Sequence, residues 1–262
     1  MIVRDYCCGI DHANHATRRS QPVANLTKPA LRGLSPDVIG EIHAIRTCEG
    51  ATRTLKLEPK SVAAFHAELM AALTALGIEV RIWTMPREFD DPIPFDRDTK
   101  HASYERAPVE RFWRVLRSVD AVLWEFRGGF IGKCSPVHFF WGSFDLCVTR
   151  FSGRRAPPMP QADKVTQEAY SHEVSSVGWW PGDVTTPYPA FYSYASPEPA
   201  GFGDAPVLPA AAFYDRDAGQ FRLKYDDVRT AASPREALLA FCRSTYEAAA
   251  TRANWTRGEL ER

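Results

Sequence analysis

Four side chains in the middle of the sequence are of the types from which acids, bases and metal ligands are made: His138, Asp145, His172 and Glu173. His138, Asp145 and Arg150 interrupt the aromatic and β-branched run Val137 to Phe151, and Tyr170, Ser171, His172 and Glu173 form a polar run within Ala169 to Val177. A charged group inside an apolar strand is costly to bury unless it is paired, so each of these needs a partner or a pocket. Two imidazoles and a carboxylate could hold a divalent metal with open positions, giving a hydrolytic or oxidative centre at His138 and His172. No recognised metal motif contains them, and the cofactor is otherwise unspecified. Two neighbouring carboxylates, Asp145 and Glu173, would instead repel and separate into an acid and a base.

Strand alternation decides which of these chemistries is available. In one long strand over Val137 to Phe151, His138 falls on one face with His172 as its natural partner, and Asp145 falls on the other with Glu173. A bulge at Gly142 would carry His138 to the face of Asp145 and bring all four together. Trp141, Arg150, Arg154, Tyr170 and Tyr192 are the expected ligand contacts around them. Phe151-Ser152-Gly153-Arg154-Arg155 has the make-up of an anion cradle, and Trp179, Trp180, Phe191, Tyr192 and Tyr194 could wall a pocket. Against this stands a plainer reading. The histidines are satisfied by backbone groups, the carboxylates neutralise Arg150, Arg154 or Arg155, and the aromatic series is core.

Familiar motifs fail on spacing. Gly128-Gly129-Phe130-Ile131-Gly132-Lys133-Cys134 lacks the first glycine and the Ser/Thr of a phosphate loop and follows a helix. Gly201-Phe202-Gly203 has Pro206 where a dinucleotide fingerprint needs its third glycine. Neither H-E-x-x-H nor G-x-S-x-G occurs. Cys7, Cys8, His12 and His15 have metal-ligand chemistry, but their spacing matches no standard ligand pattern.

The elements that must position these residues are readable from periodicity. Val62, Phe65, Leu69, Leu73 and Leu76 predict a helix over 60–76 stopped by Gly77. Phe112, Leu116, Val119, Leu123 and Phe126 predict a second over 108–127, with proline in its first turn. Ser233-Pro234-Arg235-Glu236 reads as a capping box opening a third over 233–253. Strands are expected at Thr52 to Leu57, Ile78 to Thr84, Val137 to Phe151, Ala169 to Val177, Ala190 to Ala195, Ala211 to Tyr214 and Gln220 to Tyr225. Half of the 20 prolines lie between Phe151 and Ala210, which excludes long helices there. The fold class is therefore α+β, with a mostly antiparallel sheet and about three packed helices.

Composition sets the outer bounds. With 32 basic and 32 acidic residues the net charge is zero, so the basic surplus of a nucleic-acid binder is missing. No apolar run is long enough for a membrane span and the first thirty residues hold no signal-peptide core. Six cysteines without a C-x-x-C pair suit buried thiols in a reducing cytoplasm. The expected partners are a small molecule, no nucleic acid and no membrane, and no oligomeric state is specified.

Residues 133 to 158, KCSPVHFFWGSFDLCVTRFSGRRAPP, and 168 to 182, EAYSHEVSSVGWWPG, resemble the bacterial domain-of-unknown-function family numbered 5996. So do LKLEPKSVAAFHAELMAALTALGIEVRIW at 55 to 83, DPIPFDRDTKHASY at 91 to 104, PAFYSYASPEPAGF at 189 to 202 and FCRSTYEAAATRANW at 241 to 255. The resemblance covers roughly residues 42 to 262 and implies an identity without an activity. It also implies an aromatic-rich N-terminal region, whereas Tyr6 is the only aromatic residue among the first fifty here. The expected organisation is a single α+β domain over 42–262 behind an atypical, poorly structured segment 1–41. The expected function is a soluble protein whose polar and aromatic pocket binds or turns over a small molecule. The alternative is a non-catalytic protein in which the same His, Asp and Glu residues form a buried polar network.

Overall fold

A computed structural model describes residues 31–32, 42–47, 50–86 and 91–262. Cys7, Cys8, His12 and His15, and most of the segment 1–41, lie outside the described residues. The chain divides into two compact units, Met1–Arg114 and Val115–Arg262.

In the first unit, β1 (Leu31–Arg32), β2 (Ile42–Thr47) and β3 (Thr52–Lys56) form an antiparallel sheet in that order, with Ile45 opposite Arg53. Helix α1 (Val62–Ala75) buries Leu69, Ala72 and Leu73 in one cluster with Ile45 and Leu55 from the sheet. It begins at Ser61, whose Oγ accepts the Ala64 amide at 3.1 Å. It ends in a left-handed glycine: Gly77 (φ 71°) donates to the Thr74 carbonyl and Ile78 to the Leu73 carbonyl. These are the two bonds of a Schellman motif, closed by the apolar contact of Ile78 with the cluster around Leu73. That contact corrects the strand expected over Ile78 to Thr84, which is irregular. Its β-branched residues pack Ile78 and Val80 onto the core without joining a ladder.

Helix α2 (Arg106–Gly128) contains the unit boundary and buries Val119, Val122, Leu123 and Phe126. The second unit is built on β4 (His138–Phe140), β5 (Asp145–Arg155), β6 (His172–Trp180), β7 (Ala190–Ser196), β8 (Phe213–Asp215) and β9 (Gln220–Lys224). They form one antiparallel sheet in the order β4-β5-β6-β7-β9-β8. Short helices α3 (Lys164–Ala169), α4 (Tyr225–Arg229) and α6 (Arg257–Leu260) accompany the long α5 (Pro234–Arg252). α5 packs on β6 and β7 and buries Leu238, Leu239, Phe241, Cys242, Tyr246 and Ala249. Pro234 occupies its first turn as expected, but the capping box stays open: Ser233 makes no side-chain cap bond, and Glu236 pairs with Arg235 instead.

The long strand expected over Val137 to Phe151 is a hairpin. The chain reverses through residues 141–144, with Phe144 at φ 59°, and lays β4 back on β5. Among the described residues no helix is long and apolar enough to cross a membrane.

Gly77 meets no atom within 4 Å where a Cβ would sit, so Gly77→Ala tests its backbone conformation alone. Urea unfolding of this variant is expected to show a loss of about 1 kcal/mol, from the left-handed φ. An unchanged midpoint would show that the Schellman turn does not hold the end of α1.

Candidate functional site

The hairpin rearranges the sequence candidates. His138 lies opposite Cys147 and Phe140 opposite Asp145, so His138, Phe140, Asp145 and Cys147 share one face of the sheet. The row continues from Cys147 through Gly178 and Tyr192 to Arg222. Buried Asp145 accepts hydrogen bonds from the Ser143 hydroxyl and the Tyr192 phenol. Gly178 opens the route between them, because a Cβ there would lie 2.6 Å from both the Tyr192 hydroxyl and the Cys147 Cβ. Tyr192 stacks on Tyr194 at 6.2 Å and 17°, and the Tyr194 and Tyr170 hydroxyls are 3.0 Å apart. Burial pushes the Tyr192 and Tyr194 phenols far above their usual range and the Cys147 thiol up to about 12. All three stay protonated at neutral pH, and the Tyr192 phenol donates to Asp145.

The remaining candidates go elsewhere. His172 lies opposite Arg155, and Gly178, in the row of His138, is six residues further along β6. At the strand rise, that is roughly 20 Å, well beyond the reach of one metal ion. Among the described residues no group of three His, Cys, Asp or Glu could hold a metal. Glu173 alternates to the face opposite His172 and takes Arg154, whose Nε and Nη2 donate to its Oε2 at 3.0 and 2.7 Å. Arg154 also donates to the Ala253 carbonyl at 2.5 Å and the Asn254 carbonyl at 3.3 Å, where α5 ends. The pairings His138 with His172 and Asp145 with Glu173 are therefore not formed. Arg150 is 4% exposed, donates to the Phe126 carbonyl and stacks 3.5 Å from the Phe126 ring and 4.3 Å from Tyr246. Trp141 sits in the hairpin turn, edge-on to Phe139 at 5.2 Å. A cleft of about 200 Å³ does open beside Glu173, walled by Trp255, Ala249 and Ala253, but Arg154 already occupies the charge of that carboxylate.

A different constellation, missed in the sequence, lies in the first unit. The amides of the first turn of α1 need acceptors, and the loop 98–101 supplies them: Val62 donates to the His101 carbonyl at 3.0 Å and Ala63 to the Asp98 carbonyl at 2.9 Å. This fixes Asp98, which is 6% exposed. Its Oδ1 accepts the Lys100 and His101 amides at 3.1 and 3.0 Å, and its Oδ2 lies 2.8 Å from His101 Nδ1. Led by the His101 amide, these bonds hold the carboxyl below its ordinary value of 3.8. The imidazole itself is 62% exposed and borders a cleft of about 270 Å³ with Leu57, Lys60, Val62, Phe65 and Tyr104. Lys60 is anchored to Glu68, with Nζ to Oε2 at 2.7 Å. The available signal was the Asp-x-x-His spacing of Asp98 and His101, in a loop and so outside the strand-centred search.

The family model described as a family of unknown function, DUF5996, matches residues 19–262. The chain belongs to this family. The DUF5996 match takes in both compact units and also residues 19–41, which the sequence resemblance left out. No curated protein matches the chain. No solved structure matches it either.

Two predictions follow from the two carboxylates of this DUF5996 chain. Gly178→Ala should force Tyr192 off Asp145 and cost roughly 1–3 kcal/mol, as overpacking does, measured by chemical unfolding; a neutral result would show that the phenol is not confined. Because the Asp98 pKa is lowered on folding, its stabilisation is present above pH 3.8 and drains away as the pH falls below it. The stability gap between wild type and Asp98→Asn should therefore be constant near neutrality and close on acidification below about pH 4. A gap that widens in acid would overturn the assignment.

Proposed function

We propose that the protein binds a small molecule in the cleft of its first unit, against His101. The observation that carries this reading is the Asp98–His101 pair, a buried carboxylate holding an exposed imidazole at the edge of a preformed cavity. Its volume of about 270 Å³ favours a ligand at the small end of the usual range. Leu57, Val62 and Phe65 offer apolar contact, while the imidazole offers a hydrogen bond. Lys60 is paired with Glu68 at 2.7 Å and with Glu58, itself a wall of the cleft, at 3.7 Å, so a ligand without strong negative charge suits the cleft better than an anionic one.

For the sheet residues of the second unit, the burial of Asp145 with its two hydroxyl donors favours the non-catalytic reading. His138, Asp145, His172 and Glu173 are then framework residues. The free thiols Cys134, Cys147 and Cys242 support a reducing, cytoplasmic setting in a bacterial cell. The balanced charge supports small molecules over nucleic acid as partners.

Ligand-detected and protein-detected NMR with a library of neutral hydroxyl, carbonyl and amide fragments tests the binding reading. Saturable shifts are expected at the His101 and Phe65 rings, and Ala102→Trp, which enlarges another residue of the cleft wall, should abolish them. Binding that leaves those rings unperturbed, or that survives Ala102→Trp, counts against the site.

A further inference from the structure

We infer that Asp98 and His101 form a general-base dyad that activates water to hydrolyse a small acyl ester seated in the cleft; this rests on the binding reading above. The tautomer follows from the hydrogen bonds. The Asp98 carboxylate already accepts two backbone amides through Oδ1, and as an ionised group it can only accept, so the proton in the 2.8 Å contact belongs to His101 Nδ1. The lone pair is thereby placed on Nε2. Among the described residues Asp98 is the only hydrogen-bond partner of the imidazole, and the His101 side chain is 62% exposed, which leaves the ring open to water.

Preorganisation comes from the fold. The two carbonyls that bracket the dyad are fixed by the first amides of α1, and Val62, the donor to His101, is also a wall of the cleft. Proton acceptor and cleft wall are therefore tied to each other by a backbone hydrogen bond, which is the kind of fixed placement that positional catalysis needs. Asp98 never touches substrate and is a positioning residue. Leu57, Val62 and Phe65 suit a short acyl chain. Ser103 also borders the cleft but makes no hydrogen bond to the imidazole, which favours water as the nucleophile.

In the reaction, Nε2 takes a proton from water as its oxygen bonds to the ester carbonyl carbon, and the carbonyl π pair moves to oxygen. Collapse of the tetrahedral species breaks the bond to the alcohol oxygen, which takes the proton back from the imidazolium. Ester and water become carboxylic acid and alcohol, with no metal or redox partner in the balance.

The test is steady-state hydrolysis of p-nitrophenyl butyrate by the full chain, with butyramide as a non-hydrolysable binding probe. Saturable hydrolysis without a stoichiometric burst is expected. His101→Gln should lower kcat by about 10²–10⁴-fold, the usual contribution of a general base. Asp98→Asn should lower kcat at least about tenfold with KM unchanged, through the wrong tautomer, and Asp98→Glu should recover part of the loss. His101 is exposed, so its variant should remain folded and keep the inference testable even where Asp98→Asn unfolds. Butyramide shifts at Phe65 without hydrolysis above buffer would sink the dyad and leave the binding reading standing. Absence of both hydrolysis and butyramide shifts would remove the esterase inference, while the binding reading stands or falls with the fragment library and Ala102→Trp. A burst of p-nitrophenol equal to the enzyme concentration would replace water by a protein nucleophile and overturn the mechanism.

Discussion

The second unit depends on a guanidinium with almost no water. Arg150 projects from β5 into the layer of helices, where its charge lies over the Phe126 ring and against Tyr246, and it donates to the Phe126 carbonyl. Burial pulls its pKa down, so the cost of desolvation is real. Two features offset it. A desolvated cation–π contact contributes about 2 kcal/mol, and a guanidinium is less strongly hydrated than an ammonium, so less is lost on burial. Lysine at this position would carry a more hydrated charge and no planar face to stack. The contact also resolves what the sequence posed as a cost, a charge inside an apolar strand.

Arg154 repeats the device four residues later on the same strand. Arg150 takes a carbonyl at the end of α2, and Arg154 takes two at the end of α5 while holding Glu173. Helix C-termini leave carbonyls without partners and carry partial negative charge, so arginine suits both places. One strand thus bolts down two helices through their ends.

The helices were legible because their signals are local. Apolar residues at three- and four-residue spacing, Gly77 after α1 and Pro234 opening α5 all act within a turn of where they sit. The hairpin between β4 and β5 was misread: Gly142-Ser143 is a turn signal that also fits a bulge, and the positive φ falls on Phe144, a residue that gives none. That one misreading inverted the face assignment of His138, because a reversal changes which residues look across at each other. The segment after Gly77 was misread for a related reason: β-branched alternation fits a strand, but a strand also needs a neighbour to pair with.

Asp98 and Asp145 show why burial of a carboxylate is by itself a poor guide to chemistry. Each is 6% exposed and each is fully engaged, yet the partners differ in kind. The partners of Asp145 are a phenol and a hydroxyl that hold their protons at any physiological pH, so its charge organises donors and goes no further. Asp98 spends one oxygen on two amides and gives the other to an imidazole whose far nitrogen reaches solvent. There a buried carboxylate is linked directly to a ring that is open to solvent. Asp145 sits in a strand and is buried against the Tyr192 phenol. The arrangement at Asp98 belongs to a loop, where one partner is buried by a helix terminus and the other is left outside.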